Sequence, residues 1–328
     1  MKALLARLKP DLYLTLIVFM VVLASIAPAR GEAAVLLQWA TRIAIGFVFF
    51  FHGARLASEE VRRGLTHWRL HLLVLASTFA LFPLLGLALA AAPAWLTPPA
   101  LAPGVILLCC LPSTVQSSIA FTSIARGDVA AAVAAATASN ILGVLITPLL
   151  VGLTLHAYGG ALTWTSIQAV VLQLLVPFIA GQALRRWIGG WVKARAKVLS
   201  WTDRGAILLE VYSAFSAAVV GGLWDKVSAA DLARLLALCC LLLGLVLTAT
   251  TVAARTLGFN KADEIAIVFC GSKKSLASGV PMASVLFPAA MVGPLLLPLM
   301  LFHQIQLMVC AVMAQAYAKR RDTPAQSG

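Results

Sequence analysis

Apolar residues along this chain come in continuous blocks, parted by short polar stretches, rather than in a two-residue alternation. Crossing the hydrocarbon of a bilayer takes about twenty apolar residues as helix. Runs such as ALCCLLLGLVLTATTVAA at 237–254 meet that need, whereas a membrane barrel shows short alternating segments. The pattern predicts helical spans at about 11–29, 35–57, 69–92, 128–153, 163–186, 204–223, 232–255 and 293–317, with two further spans each split into halves, 100–111 with 115–125 and 263–271 with 275–287. Two stretches set this tally. Val129 to Leu184 carries no Asp, Glu, Lys or Arg and exceeds one crossing, with Gly159-Gly160 offering a turn. Ser275 to Ala318 likewise holds the end of one span and all of the next, parted between Pro288 and Pro294.

The expected fold is an all-α polytopic membrane protein forming a single transmembrane domain. Ten spans divide into two sets of five, about 1–155 and 163–318, with a tail at 319–328. Five is odd, so the second set enters from the opposite side, giving inverted repeats.

Charge supports the count. The 328 residues are 61% hydrophobic and 11% charged, far more apolar than globular chains. The net charge of +13 does not imply a nucleic-acid partner, because the basic residues sit in loops without interleaved aromatics. Lys2, Arg7 and Lys9, Arg55 to Arg69, Arg126, Arg185 to Arg204, Arg255 and Lys261, and Lys319 to Arg321 all fall on one side, which predicts cytoplasmic termini. In a bacterial cell this means the inner membrane. The N-terminal MKALLARLK, its apolar run and Ala27-Pro28-Ala29 also fit a cleaved signal peptide, although the run is long enough to span. The six cysteines lie inside spans without metal-ligand spacing and read as small apolar fillers. Trp39, Trp95, Trp164, Trp187, Trp201 and Trp224 near span ends read as interfacial anchors.

The fourth span of each set is the irregular one. The first reads ILLCCLPSTVQSSIAFTSIARGD, where Pro112 is followed by Ser113, Thr114, Gln116, Ser117 and Ser118. Proline removes a helical hydrogen bond, and hydroxyls re-satisfy the freed backbone. The second reads IAIVFCGSKKSLASGVPM, where Gly271 and Ser272 break the run ahead of Lys273, Lys274 and Ser275. Interrupted spans in matching positions point to a transport site near the midplane. A lysine at that depth costs about 3 kcal/mol or more, so two adjacent ones call for a reason. Simple kinks with snorkelling lysines, or lysines paired with Glu210, are the plainer alternative. Thr137 and Asn140 complete the polar set on the fifth span, and Asp128 is positioned to cap it.

These residues resemble the bile acid:sodium symporter family, in particular its orphan branch around cotransporter 7 and bacterial relatives. The similarity covers nearly the whole chain. It is strongest in GVILLCCLPSTVQSSIAFTSIARGDVAAAVAAATASNILGVLITPLL, in GSKKSLASGVPMA and in LMLFHQIQL. The resemblance implies a panel of helices 1, 2, 6 and 7 against a core of 3–5 and 8–10, with broken helices 4 and 9 crossing in the core. It implies sodium contacts at Ser117 and Ser118, where the family has a Ser-Asn pair, and at Asn140 near two positions where alanines, Ala132 and Ala136, stand in place of hydroxyl ligands. Thr78 stands where helix 3 offers a glutamine to a second sodium, and His303 with Gln304 matches a His-Asn pair beside the substrate cavity. Helix 9 departs most, since the sodium-binding glutamate aligns with Phe269 and a nearby glutamine with Lys273.

Of the twelve acidic residues only Glu210 is expected inside a span, so the core holds neutral oxygens and added positive charge but no carboxylate. The expectation is that one lysine ammonium replaces a sodium ion, bonded to freed carbonyls and hydroxyls, while the other faces the cavity and attracts an anion. Half-helix N-termini near Val115 and Ser275 would assist. Sodium or a proton is the candidate coupling ion, and no other cofactor is implied. The reading is a secondary transporter of a small organic anion. A membrane-embedded enzyme using lysine is the alternative, lacking a metal motif or carboxylate pair. A passive channel or regulatory protein is the other.

Overall fold

A computed structural model describes residues 12–55, 67–157, 168 and 171–319. The basic N-terminal stretch, Trp164, the Gly159-Gly160 turn and most of the tail lie outside them. The helices are α1 (Leu12–Ile26), α2 (Gly31–Arg55), α3 (Trp68–Ala90), α4a (Ala102–Cys110), α4b (Val115–Ile124), α5 (Val129–Ala157), α6 (Val176–Ala194), α7 (Ala196–Val220), α8 (Ala229–Thr256), α9a (Lys261–Gly271), α9b (Leu276–Leu286) and α10 (Ala289–Ala318). A π-helical turn, Val171–Leu175, precedes α6.

Helices α2, α3, α5, α8 and α10 are each long and apolar enough to cross a membrane, and α4a with α4b, bent by 67°, adds a sixth crossing. The chain is therefore an all-helical polytopic membrane protein. Expected boundaries hold within a few residues except at α6, which runs on to Ala194 rather than ending near 186, and at α7, which starts at Ala196 rather than near 204; the expected start of the sixth span near 163 lies outside the described residues. Lysine and arginine are good helix formers, so the polar residues at the end of α6 and the start of α7 stay helical. Local signals start the helices. Ser228 and Asp231 form a capping box for α8, Asn260 caps α9a, and the Asp128 carboxylate accepts the Ala131 N–H at 2.9 Å, as expected.

The helices pack as two groups. In one, α2 lies along α6, and α7 packs on α1 and α2. In the other, α3, α4a, α4b, α5, α8, α9a, α9b and α10 surround the two breaks, and α7 reaches across to α9b and α10. Lipid tails supply no hydrophobic drive between helices, so close backbone contact at small residues matters. Gly53 and Gly181 provide it reciprocally: a Cβ on Gly53 would strike the Phe178 carbonyl of α6, and one on Gly181 the Phe50 carbonyl of α2. Outward faces are apolar, with Leu36, Phe47, Leu149 and Leu153 exposed, and Trp39, Trp95, Trp187, Trp201 and Trp224 also open at the surface. All six cysteines are free thiols, five of them buried.

Candidate functional site

The site follows from where prolines leave backbone oxygens without partners. Pro112 has no N–H, so the Leu108 carbonyl takes only a long bond from Leu111 N–H at 3.4 Å, and the chain turns extended at Leu111. Ser113 N–H then donates to Ser139 Oγ at 3.0 Å rather than to Cys109, and Thr147 Oγ1 donates to the Cys110 carbonyl at 2.9 Å. The carbonyls of Cys109 and Leu111 remain. Helix α3 yields a third. Its π-helical turn pairs Phe82 N–H with the Ser77 carbonyl, so the next carbonyl in that register, Thr78, faces Pro83 and finds no donor.

Lys274 collects all three. Its Nζ donates to Thr78 O at 2.8 Å, Cys109 O at 2.7 Å and Leu111 O at 2.6 Å, which uses every ammonium proton. The Phe82 ring centroid lies 4.1 Å away, adding a cation–π contact. The Lys274 backbone is clamped by Gln306, whose Oε1 accepts Lys274 N–H and whose Nε2 donates to Lys274 O, both at 2.9 Å. The ammonium sits at the C-terminal end of α4a, where the helix dipole favours a cation.

The second break is closed by serines. The last turn of α9a leaves four carbonyls to satisfy. Ser272 N–H and Oγ bond Val268 O, Ser118 Oγ donates to Phe269 O at 3.0 Å, Ser113 Oγ to Cys270 O at 2.6 Å, and Ser77 Oγ to Gly271 O at 2.8 Å. Ser275 N–H reaches the Pro112 carbonyl at 2.9 Å, tying one break to the other. Irregular backbone at membrane depth survives only when satisfied in this way.

Both lysines are 0% exposed, which removes the snorkelling alternative, and neither meets Glu210, which bonds Ser284. The expectation that one amine faces the cavity is not met by either. Lys273 Nζ donates to Ser117 O at 2.9 Å and sits 4.0 Å from the Phe121 centroid and 5.2 Å from that of Phe269. Aromatic faces and a carbonyl draw it inward. The expected sodium ligands are engaged separately: Ser118 as above, Ser117 Oγ with Thr114 Oγ1 at 2.8 Å, and Asn140 Oδ1 accepting from Ser278 Oγ at 2.9 Å. Asn140 Nδ2 also holds the Ser113 carbonyl at 2.6 Å. Thr78 contributes its carbonyl, its hydroxyl being bonded to Val74 O. Gln116 is exposed. His303 Nδ1 lies 2.8 Å from Gln306 Nε2, and it is Gln306, rather than Gln304, that bonds the Lys274 backbone. Among the described residues no cluster of His, Cys, Asp or Glu is arranged to hold a metal.

A cavity of about 200 Å³ lies where the two helix groups meet. Phe49, His52 and Arg55 of α2 and Phe178 of α6 line one side; Val115, Thr137, Asn140, Ala277 and Ser278 line the other. The N-termini of α4b and α9b thus open onto it, bringing partial positive charge. Arg55 donates Nη1 to Asp203 at 2.6 Å, while Nε and Nη2, the edge that grips a carboxylate side-on, are buried with no hydrogen-bond partner among the described residues. Arg55 was read from sequence as a loop charge.

Two crossed breaks inside a helical membrane bundle, with a cavity between helix groups, mark a membrane transporter. Residues 11–319 match the SBF-like CPA transporter family, and the chain belongs to it. It is 58% identical to "Uncharacterized protein PA2026" of Pseudomonas aeruginosa over 97% of this chain and 96% of that one. It is 50% identical to "Putative symporter YfeH" of Escherichia coli over 96% and 95%. It is 29% identical to "Sodium/bile acid cotransporter 7-B" of Xenopus laevis over 94% and 92%.

Proposed function

We propose that this chain is a secondary active transporter of a small organic anion, working by alternating access in the bacterial inner membrane with both termini cytoplasmic. Ten spans, as two inverted five-helix repeats, would divide into a panel of α1, α2, α6 and α7 and a core built on the crossing of α4 and α9. The cavity of about 200 Å³ carries this reading. It lies between the groups that would rock, two half-helix N-termini open onto it, and Arg55, whose buried Nε and Nη2 have no hydrogen-bond partner among the described residues, is part of its wall. The anion would bind there by charge-assisted hydrogen bonds. Membership in a transporter family and likeness to named symporters support the class, and relatives named as sodium cotransporters make sodium the first coupling ion to test.

The lysines have a separate role. The Lys274 ammonium occupies a cage of three backbone oxygens, the kind of environment that suits a hard cation. In this reading it takes over one sodium position, and Lys273 adds positive charge beside α4b. The Ser113 and Ser118 hydroxyls tie the two broken spans together, and those of Ser117, Ser272 and Ser275 bond within their own half-helices, instead of coordinating an ion.

Uptake into proteoliposomes of a labelled bile acid and a panel of short carboxylates, under imposed sodium, proton and voltage gradients, tests the class. At least one anion should concentrate above its external level. Equilibration alone would indicate a channel, and chemical conversion of the anion an enzyme.

A further inference from the structure

Glu210 lies on α7, 4% exposed, and bonds Ser284 rather than either lysine. Its Oε1 contacts Ser284 Oγ of α9b, and its Oε2 is buried with no hydrogen-bond partner among the described residues. It also lines a second cavity, about 420 Å³, together with Gln38, Thr41 and Arg42 of α2, Gln173, and Ser213 of α7. An ionised carboxylate taken out of water needs several donors or a fixed cation; here it has one hydroxyl.

That hydroxyl is itself contested. Ser284 Oγ stands 3.1 Å from the Val280 carbonyl, the bond a helical serine makes to the preceding turn, and a hydroxyl has a single proton. If that proton goes to Val280, the contact with Glu210 requires the carboxyl to be the donor. If it goes to Glu210, the charged carboxylate keeps one neutral bond for two oxygens. Either way the neutral acid fits the surroundings better than the anion.

The charged neighbours do not alter this. Arg42 is the one charged residue besides Glu210 among those lining the cavity, and its guanidinium stacks over Trp39, 5.4 Å from the ring centroid. Helix α9b carries no titratable side chain. On α10, His303 is engaged with Gln306; on α1, Tyr13 lies under Arg204; Arg55 of α2 pairs with Asp203, about two turns along α7.

We infer that Glu210 is a proton-binding site at the seam between the two helix groups, its neutral acid bonded to Ser284 and its proton exchanging with the second cavity. Loss of the proton leaves an anion that the closed seam cannot solvate, so α7 and α9b part until water meets the charge. A proton thereby becomes a ligand for one arrangement of the groups. The link to anion movement rests on the transport reading above; the protonation does not.

The test is infrared difference spectroscopy of the purified full-length chain in lipid, titrated from acid to alkaline pH. The wild type should show a protonated-carboxyl C=O band at neutral pH that fades in alkali. Glu210→Gln should lack it, and Ser284→Ala should shift its frequency. Hydrogen exchange of α9b, corrected for the intrinsic pH dependence, should rise several-fold in alkali in the wild type and stay flat in Glu210→Gln. No neutral-pH band, or a band unchanged in Glu210→Gln, overturns the proposal, as does equal α9b exchange in both proteins. A band lost in Glu210→Gln while no anion is transported keeps the proton site and removes only the transport reading.

Discussion

Removing the Lys274 amine while leaving its three acceptors in place separates an ion-like role from simple packing. Lys274→Ala orphans the carbonyls of Thr78, Cys109 and Leu111, each costing about 1–3 kcal/mol when buried without a donor. Relief of the desolvated ammonium offsets part of that sum, leaving a net loss of about 3–5 kcal/mol. For a chain of this size, roughly 5–10 °C of melting temperature should be lost, followed by tryptophan fluorescence in detergent. The vacated space faces three oxygens, the ligands sodium prefers. Sodium, but not potassium, should therefore restore part of the loss in Lys274→Ala and leave the wild type unmoved. Lys274→Met, which fills the space without charge, should be destabilised and indifferent to both salts. The reasoning fails if Lys274→Ala melts with the wild type, or if sodium stabilises the wild type as much as the variant.

Arg55→Gln should raise the KM for anion uptake about 10–100-fold, the worth of one charge-assisted bond, whereas Asp203→Asn leaves the free guanidinium edge and should change KM far less. Gln306→Leu strips partners from both the N–H and the C=O of Lys274 and should cost about 2–4 kcal/mol of thermal stability. Gln304→Leu, which touches neither group, should lower the melting point much less. Gly181→Leu should abolish a monodisperse folded peak in size-exclusion chromatography by forcing α6 away from α2, while Gly190→Ala, whose added Cβ meets nothing, should elute as the wild type.

Much of the architecture could be read before any coordinates, because membrane depth makes irregularity conspicuous. Pro112 and Gly271-Ser272 advertised the two breaks, Asp128 its cap, and the adjacent lysines a cluster that lipid does not tolerate. What stayed hidden was which groups would face one another. Pro83 sits inside the continuous helix α3, so its effect, a Thr78 carbonyl left for Lys274, depends on a π turn with no sequence signature. Gln306 was passed over for Gln304, although one turn separates it from His303 and that spacing puts the two on one face. Arg55 looked like any basic residue closing a span until α7 supplied Asp203 and α4b and α5 supplied the opposite wall. Ser77, Ser139 and Thr147 became caps only once three helices converged. Lys273 turned away from the cavity because Phe121 and Phe269 offered ring faces that pattern alone could not bring together.

The amine held by Thr78, Cys109 and Leu111 is covalently part of the chain. A metal ion released at each turnover gives back the free energy stored in its concentration difference and in the voltage it falls through. A tethered charge returns to its starting place every cycle and yields no net work. On the transport reading proposed above, a sodium seat filled by lysine would lower the ion-to-cargo stoichiometry by one, and with it the steepest cargo ratio such a transporter could sustain.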